Sequence, residues 1–209
     1  EITTKVGEPT SVCSVYLKNL IALGLVQKET PYGEKSSRKT IYRVADNMFR
    51  FWYRFIPESY ALIIRGGSEI AYQRIEPHLS TYMGTIFEDI CREYLWRLLL
   101  DGTCPIHFTN LGRWWGSNPA THLQEEIDIM GVQGKEAALF AECKWSNALV
   151  DSHILDRLKE RSRLFHYPTV HLYLFAKKGF TKSCMEAAKK TENVRLVSYN
   201  EVLEVLQRQ

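Results

Sequence analysis

The sequence predicts an α/β protein in two parts: a small module of helices with a β-hairpin, then a larger domain around a mixed sheet. Residues 1–56 combine short amphipathic helices with two short alternating strands. Two longer apolar strands are expected at 123–132 and 137–145, each with charged residues inside it. A helix at 152–165 and an apolar strand at 169–175 follow, and helices that alternate with strands typically cover the faces of one sheet.

The composition is that of a globular protein with a basic N-terminal part. The chain has 209 residues, of which 45% are hydrophobic and 24% charged. Residues 1–56 carry nine Lys and Arg against five Asp and Glu, whereas residues 57–209 carry eighteen against nineteen. This uneven charge mildly indicates a nucleic-acid partner. The five scattered cysteines form no CxxC pair and no run of about 20 apolar residues occurs, so we expect a cytoplasmic protein without a membrane partner.

The N-terminal module is predicted from its order of elements. Helices are expected at 1–6 and 11–23, with Gly24 as C-cap glycine, and strands at 25–29 and 40–44. Helix, turn, helix and hairpin is the order of a winged helix-turn-helix, in which the second helix enters the major groove and the basic loop touches phosphate. The candidate DNA contacts are Ser14, Lys18, Lys35, Arg38 and Lys39. Alternatively, the module contacts protein, and its loop charges serve only solubility.

An aromatic segment at 46–56 follows the hairpin, and Pro57 and Gly66-Gly67 are expected to punctuate the chain after it. We predict a buried helix that packs the hairpin module against the next domain. The alternative is that its interleaved arginines and aromatic rings stack on single-stranded bases.

A long helix is expected at 69–100. Its apolar stripe consists of Phe87, Ile90, Cys91, Tyr94, Leu95 and Leu98. A strand at 103–109, a glycine-flanked aromatic segment at 112–116 and a turn at Gly134 come before the last apolar strands. The expected domains are the module at 1–56, a helical connector at 57–100 and the sheet domain at 101–209, to which the helix at 80–100 contributes.

Charged residues inside the two apolar strands suggest a metal-dependent site. Asp128 lies between two isoleucines, and Glu142 and Lys144 are two apart, hence on one face of a strand. Carboxylates from adjacent strands can bind Mg²⁺ or Mn²⁺, with the backbone carbonyl of Cys143 as a further ligand. Lys144 can orient a water molecule or neutralise charge that develops on phosphorus, and Glu88 can hold a metal-bound water. Alternatively, an ion pair of Lys144 with Glu142 or Asp128 is only architectural.

These residues also carry a family resemblance. The segments that carry it are EPTSVCSVYLKNLIALGLVQKETP, YRVADNMFRFWYRFI, GTIFEDICREYL, GRWWG, EEIDIM and LFAECKW. Together they resemble the C-terminal region of prokaryotic archaeal-type AAA ATPases that carry a domain-of-unknown-function 234 segment. The resemblance implies a winged helix followed by a restriction-endonuclease-like PD-(D/E)xK domain. Glu88, Asp128, Glu142 and Lys144 match the acidic and lysine positions of that fold, with Ile127 where a proline is usual.

The acid, acid and lysine set, together with this resemblance, predicts a DNA-binding, metal-dependent nuclease region that hydrolyses phosphodiester bonds in DNA. The chain lacks an initiator Met, so we expect a fragment of a longer protein. The resemblance implies that the ATP-binding domain lies elsewhere, and no GxxxxGK[ST] loop occurs in this chain. The expected partners are DNA, that ATPase domain and a further copy in a homo-oligomer. The alternative is a catalytically inactive nuclease-like module that docks DNA or a protein partner for the ATPase.

Overall fold

The computed structural model describes residues 2–35 and 38–208 and divides into two compact units. The first unit comprises Glu1–Thr30 and Glu34–Pro77, and the second comprises Pro31–Gly33 and His78–Gln209. Ser36 and Ser37 of the predicted loop lie outside the described residues. The domain limits expected from the sequence stay a prediction.

The first unit contains the predicted helices and hairpin. Its elements are α1 (Ile2–Val6), α2 (Thr10–Ala22), the antiparallel strands β1 (Val26–Glu29) and β2 (Ile41–Val44), α3 (Asn47–Ile63) and the start of α4 (Ser68–Leu100). The end of α2 follows from Gly24, which has a positive φ of 71°. There the amide of Gly24 donates to the Ile21 carbonyl at 3.0 Å and that of Leu25 to the Leu20 carbonyl at 2.9 Å, the paired bonds of a Schellman motif.

Helix α3 corrects two expectations. It begins at the Asp46 cap, whose carboxylate accepts from the amide of Phe49 at 3.0 Å, and it continues through Pro57 rather than ending there. Proline removes one backbone donor, and the remaining helical bonds carry the helix on to Ile63. The prediction of a buried helix is wrong for one face, because Phe49, Trp52 and Tyr53 are 42–69% exposed.

The second unit is built on a five-stranded mixed sheet in the order β3-β4-β5-β6-β7. The strands are β3 (Gly112–Ser117), β4 (Gln124–Gln133), β5 (Ala137–Lys144), β6 (Thr169–Ala176) and β7 (Val194–Ser198). The first three pair antiparallel and the last three pair parallel, so the predicted mixed sheet is confirmed. The helices after β5 are α5 (Ser152–Ser162), which continues into a 3₁₀ turn at Arg163–Phe165, α6 (Lys182–Lys189) and α7 (Tyr199–Leu206).

The strand expected at 103–109 is wrong. Ile106 and Phe108 are buried and alternate as in a strand, but the segment is irregular. Its amides find other acceptors: that of Cys104 donates to the Leu98 carbonyl at 3.0 Å and that of His107 to the Gln133 side chain at 2.7 Å. The aromatic segment at 112–116 is instead the edge strand β3, and the sequence assigned no element after residue 175.

Two apolar cores cover the two faces of this sheet. One core joins α4 and α7 to Leu139, Ala141 and Cys143 of β5, and the other joins α5 and α6 to Ala138 and Phe140. Since side chains alternate along a strand, Glu142 is in phase with Ala138 and Phe140 and faces α5. In the described parts of the chain, no helix combines the length and apolar character that a membrane span requires.

Candidate active site

A bulge in β4 breaks the alternation of the strand at Asp128. Gly112 of β3 pairs with Met130, and Trp114 pairs with Ile127. An interval of two residues on β3 therefore lies opposite an interval of three residues on β4. Accordingly, Ile127 packs in the α5 core and Ile129 in the α4 core. Bulges commonly re-aim a side chain beside a functional site.

The carboxylate of Asp128 takes the place of a backbone acceptor where β4 and β5 separate. Their ladder reaches as far as the pair Ile129 and Ala141. Beyond that pair, the amide of Cys143 donates to Asp128 Oδ2 at 2.7 Å. This hydrogen bond satisfies the amide and fixes Asp128 beside β5.

Glu142 is a buried carboxylate held by two cations. It is 6% exposed. Lys144 Nζ lies 2.6 Å from its Oε1, and Arg161 Nη1 of α5 lies 3.1 Å from its Oε2. Arg161 also places Nε 2.8 Å from Oε2 of Glu125, so its guanidinium bridges two strands of the sheet.

Glu88 contributes a further carboxylate from α4. Its Oε2 lies 3.6 Å from Nε of Arg113, which also forms an ion pair with Glu126. Within the described residues, the buried Oε2 of Glu88 has no hydrogen-bond partner. Burial raises the pKa of Glu88, and the nearby Arg113 only partly offsets this.

Burial and the crowded carboxylates raise the pKa of Asp128 to about 8. Burial is the largest cause, followed by the charges of Glu142 and Glu88. Burial lowers the pKa of Lys144, but the adjacent Glu142 outweighs it and the net pKa is raised. Without a further cation, Asp128 is therefore harder to ionise than an ordinary aspartate, while Lys144 stays charged.

The donor set fits a divalent cation with a preference for oxygen ligands. The ion pairs and Asp128 together involve five carboxylates and three cationic side chains, which leaves negative charge in excess: Glu88, Glu125, Glu126, Asp128 and Glu142 against Arg113, Lys144 and Arg161. Among the described residues, no group of three or more His, Cys, Asp or Glu is arranged to hold a metal. The candidate protein ligands are thus two carboxylates, Asp128 and Glu142, with the Cys143 carbonyl.

The structure brings the predicted residues Glu88, Asp128, Glu142 and Lys144 to one end of the sheet. Sequence reasoning missed Arg161 and its partner Glu125, and likewise Arg113 and Glu126. The acidic pair before Asp128 was a signal, because two more charges in an otherwise apolar strand need partners.

The candidate DNA contacts all lie in the first unit. Ser14 and Arg38 line one cleft of about 670 Å³ between α1, α2 and the hairpin. Ser14 Oγ donates to the Thr10 carbonyl at 2.7 Å. The other three are exposed lysines, Lys18, Lys35 and Lys39. Of these, Lys39 lies 3.6 Å from Glu34.

Comparison with known proteins identifies the family. Residues 52–161 match the profile of DUF234, described as archaeal and bacterial proteins of unknown function. The chain belongs to the DUF234 family. It is 33% identical over 149 residues to an uncharacterized protein of Methanocaldococcus jannaschii, an alignment that covers 70% of this chain and 32% of that protein.

Among solved structures, the DUF234 chain is similar to AspBHI, a DNA modification-dependent restriction endonuclease. The identity is 21%, the alignment covers 72% of this chain and 35% of that one, and the TM-score is 0.33. A likeness of this size does not assign a fold or an activity. The chain spans about a third of the length of both proteins.

Proposed function

We propose that this DUF234 chain carries a metal-dependent nuclease site that hydrolyses phosphodiester bonds in DNA. The observation that carries the proposal is the pair of carboxylates, Asp128 and Glu142, on adjacent strands that separate at this point. Lys144 lies two residues beyond Glu142 and contacts it. This is the acid, acid and lysine arrangement of a PD-(D/E)xK nuclease.

Each residue has a distinct task in this proposal. Asp128, Glu142 and the Cys143 carbonyl would hold Mg²⁺ or Mn²⁺. The bound ion would polarise the scissile phosphate and lower the pKa of the attacking water. Lys144 orients that water and neutralises charge on the phosphate, for which its raised pKa keeps it protonated. Glu88 accepts a hydrogen bond from water through Oε2, which has an ion-pair contact with Arg113 at 3.6 Å but no hydrogen bond within the described part of the chain.

The wider architecture also belongs to the proposal. Helices α1 and α2 followed by the β1–β2 hairpin support a winged helix whose basic residues contact DNA phosphate. The resemblance to archaeal-type AAA ATPases supports an ATPase domain elsewhere in the full protein.

A second candidate function is an inactive module that docks DNA or a partner protein. One observation favours it: both oxygens of Glu142 already have a cationic partner, Lys144 on one and Arg161 on the other. In an inactive site these ion pairs would serve as architecture alone.

Plasmid cleavage separates the two candidates. Supercoiled plasmid is incubated with the chain and Mg²⁺ or Mn²⁺, beside Asp128→Asn and Lys144→Ala. We expect nicked or linear product from the wild type and a loss of at least about 100-fold in each variant, since both act on charge that develops during the reaction.

The matched controls lie in the turn between β4 and β5. Glu136→Gln and Lys135→Ala change an exposed acid and an exposed lysine and should cleave like the wild type. Cleavage that persists in Asp128→Asn and Lys144→Ala would assign the activity to another site or a contaminant. No cleavage by the wild type with either metal would favour the docking module.

A further inference from the structure

Arg161 contacts the proposed metal ligand Glu142 directly, yet the proposed chemistry gives it no task. It belongs to the last turn of α5, and its side chain is only 13% exposed. Its Nε lies 2.8 Å from Glu125 and its Nη1 lies 3.1 Å from Glu142. A largely buried guanidinium with two carboxylate partners belongs to the site, unlike an exposed surface arginine.

Arg161 occupies the oxygen of Glu142 that a metal ligand needs. Lys144 already holds Oε1, so Oε2 is the oxygen on which Arg161 and a divalent cation would compete. Two positive groups at one oxygen repel strongly in a buried environment. An arginine does not lose its proton in proteins, so it can relieve the repulsion only by moving.

Arg161 can leave Glu142 without losing every partner. Because Nε and the terminal nitrogens form one rigid plane, a tilt of the whole guanidinium about its Nε contact with Glu125 would withdraw Nη1 from Glu142 and keep that ion pair. The planar guanidinium then presents paired N–H donors, a geometry that matches two oxygens of a phosphate. Glu125 is thus a pivot as well as an ion-pair partner.

We propose that Arg161 is a gate residue that holds Glu142 in the metal-free protein and moves to the DNA phosphate when a divalent cation binds. This inference rests on the proposed function, because it takes Glu142 as a metal ligand. Arg161 therefore weakens metal binding on its own and strengthens metal-dependent DNA binding. A purely structural arginine could weaken metal binding through its charge alone, but it would not strengthen metal-dependent DNA binding.

Two measurements on the full chain test the gate without relying on cleavage. The first is a titration with MnCl₂, with no DNA, followed by the rise in melting temperature that ligand linkage produces. The second is fluorescence anisotropy of a labelled DNA duplex with and without CaCl₂, since Ca²⁺ also takes carboxylate ligands. The variant is Arg161→Gln, which removes the charge but keeps hydrogen-bond donors for the two carboxylates.

The control is Arg163→Gln, an exposed arginine two residues away in the 3₁₀ turn. We expect Arg161→Gln to lower the Mn²⁺ midpoint about tenfold, the usual size of coupling between neighbouring charged groups. Duplex affinity should fall about tenfold with Ca²⁺ and stay near the wild-type value without it. Arg163→Gln should leave the Mn²⁺ midpoint unchanged and should not make duplex binding depend differently on Ca²⁺.

Each outcome decides something. If Mn²⁺ stabilises Arg161→Gln but not the wild type, Arg161 blocks the site fully and the gate is supported. If Mn²⁺ stabilises both equally, the gate is overturned while the proposed metal site stands. If Mn²⁺ stabilises neither, the gate and the metal site both fail. Should Arg161→Gln not fold, the second variant is Arg161→Lys, which keeps the charge but loses the paired N–H donors of the guanidinium. If this variant has the Mn²⁺ midpoint and the duplex affinity of the wild type, the gate is overturned.

Discussion

The two units of the chain differ sharply in how many apolar side chains they bury. Among the described residues of the first unit, the buried apolar ones are Cys13, Phe55, Ala71 and Ile75, whereas the second unit has two cores on the faces of its sheet. The first unit also exposes large apolar side chains such as Val15, Leu23 and Tyr53. Packing therefore fixes side chains mainly in the second unit.

The charged residues follow the same division. In the second unit, Glu142 and Arg161 are largely buried and paired at short distance. In the first unit, Lys39 and Glu34 form an exposed pair with a separation of 3.6 Å. Burying charge costs free energy unless the groups are paired or bind a ligand, so the charges of the second unit are the ones that indicate a site. Matched substitutions in the two units test this comparison.

The largest difference is expected for matched aromatic truncations. Phe87 is fully buried and packs on Trp145 and Tyr199, whereas Tyr53 is 69% exposed. Phe87→Ala should lower the free energy of unfolding by about 3–5 kcal/mol, because it leaves a cavity. Tyr53→Ala should change it by less than about 0.5 kcal/mol. Urea denaturation measures both, and equal losses would show that the first unit is packed as tightly as the second.

Glu142→Gln is expected to have the next largest effect. It leaves Arg161 and Lys144 without their shared negative charge, at a site where Arg161 is 13% and Lys144 35% exposed. Because Lys144 is partly solvated, we expect a loss of about 2 kcal/mol, less than a fully buried pair would give. Glu34→Gln in the first unit should cost less than about 0.5 kcal/mol. A neutral effect of Glu142→Gln would mean that its ion pairs contribute nothing to stability.

The affinity for DNA is expected to depend on three exposed basic residues of the first unit. The combined variant Lys35→Ala, Arg38→Ala and Lys39→Ala removes three exposed charges near the hairpin. If they contact phosphate, duplex affinity should fall at least about tenfold, and the slope of log K against log salt should shrink by about 2–3. Anisotropy titrations at several salt concentrations measure both, with Lys135→Ala as the control. An unchanged slope would exclude Lys35, Arg38 and Lys39 from the DNA interface.

The smallest expected effect is a gain in stability. The pKa of Asp128 is raised to about 8 in the folded protein, against about 3.9 in an unfolded chain. The folded state thus holds this proton more tightly, and stability falls as pH rises from about 4 to about 8. Asp128→Asn removes that loss and should raise stability by at least about 1 kcal/mol, or roughly 3 °C in Tm, at pH 8 without metal.

The same variant should lose any stabilisation by Mn²⁺. Asp156→Asn, an exposed aspartate on α5, is the matched control and should show neither effect. Melting curves of the wild type and both variants between pH 5 and pH 8 measure how the stability difference changes with pH. A wild-type stability that rises over this range relative to Asp128→Asn would contradict the raised pKa.

Much of this site was predictable because periodicity is local. The spacing of Glu142 and Lys144 places both on one face of a strand, and Asp128 between isoleucines marks a charge in an apolar strand. The structure confirms β4, β5 and the turn at Gly134 that joins them. The stripe of α4 also predicted its buried face, including Phe87 and Cys91.

The rest depends on contacts between distant parts of the chain. Arg161 meets Glu142 across 19 residues and Glu125 across 36, and no local pattern specifies such pairs. The bulge at Asp128 arises from pairing with β3, a short strand whose glycines and tryptophans gave no clear alternation. Ile106 and Phe108 are buried with the two-residue alternation of a strand, although their segment forms no strand in the described structure.

The most direct test of the central claim is a crystal of this chain soaked in MnCl₂ and measured for anomalous scattering. The account predicts a manganese peak between the carboxylates of Asp128 and Glu142, with the Cys143 carbonyl within ligand distance. In the same map, Nη1 of Arg161 should have left Oε2 of Glu142 while Nε stays on Glu125. Manganese bound elsewhere on the protein, with Lys144 and Arg161 still on Glu142, would contradict it.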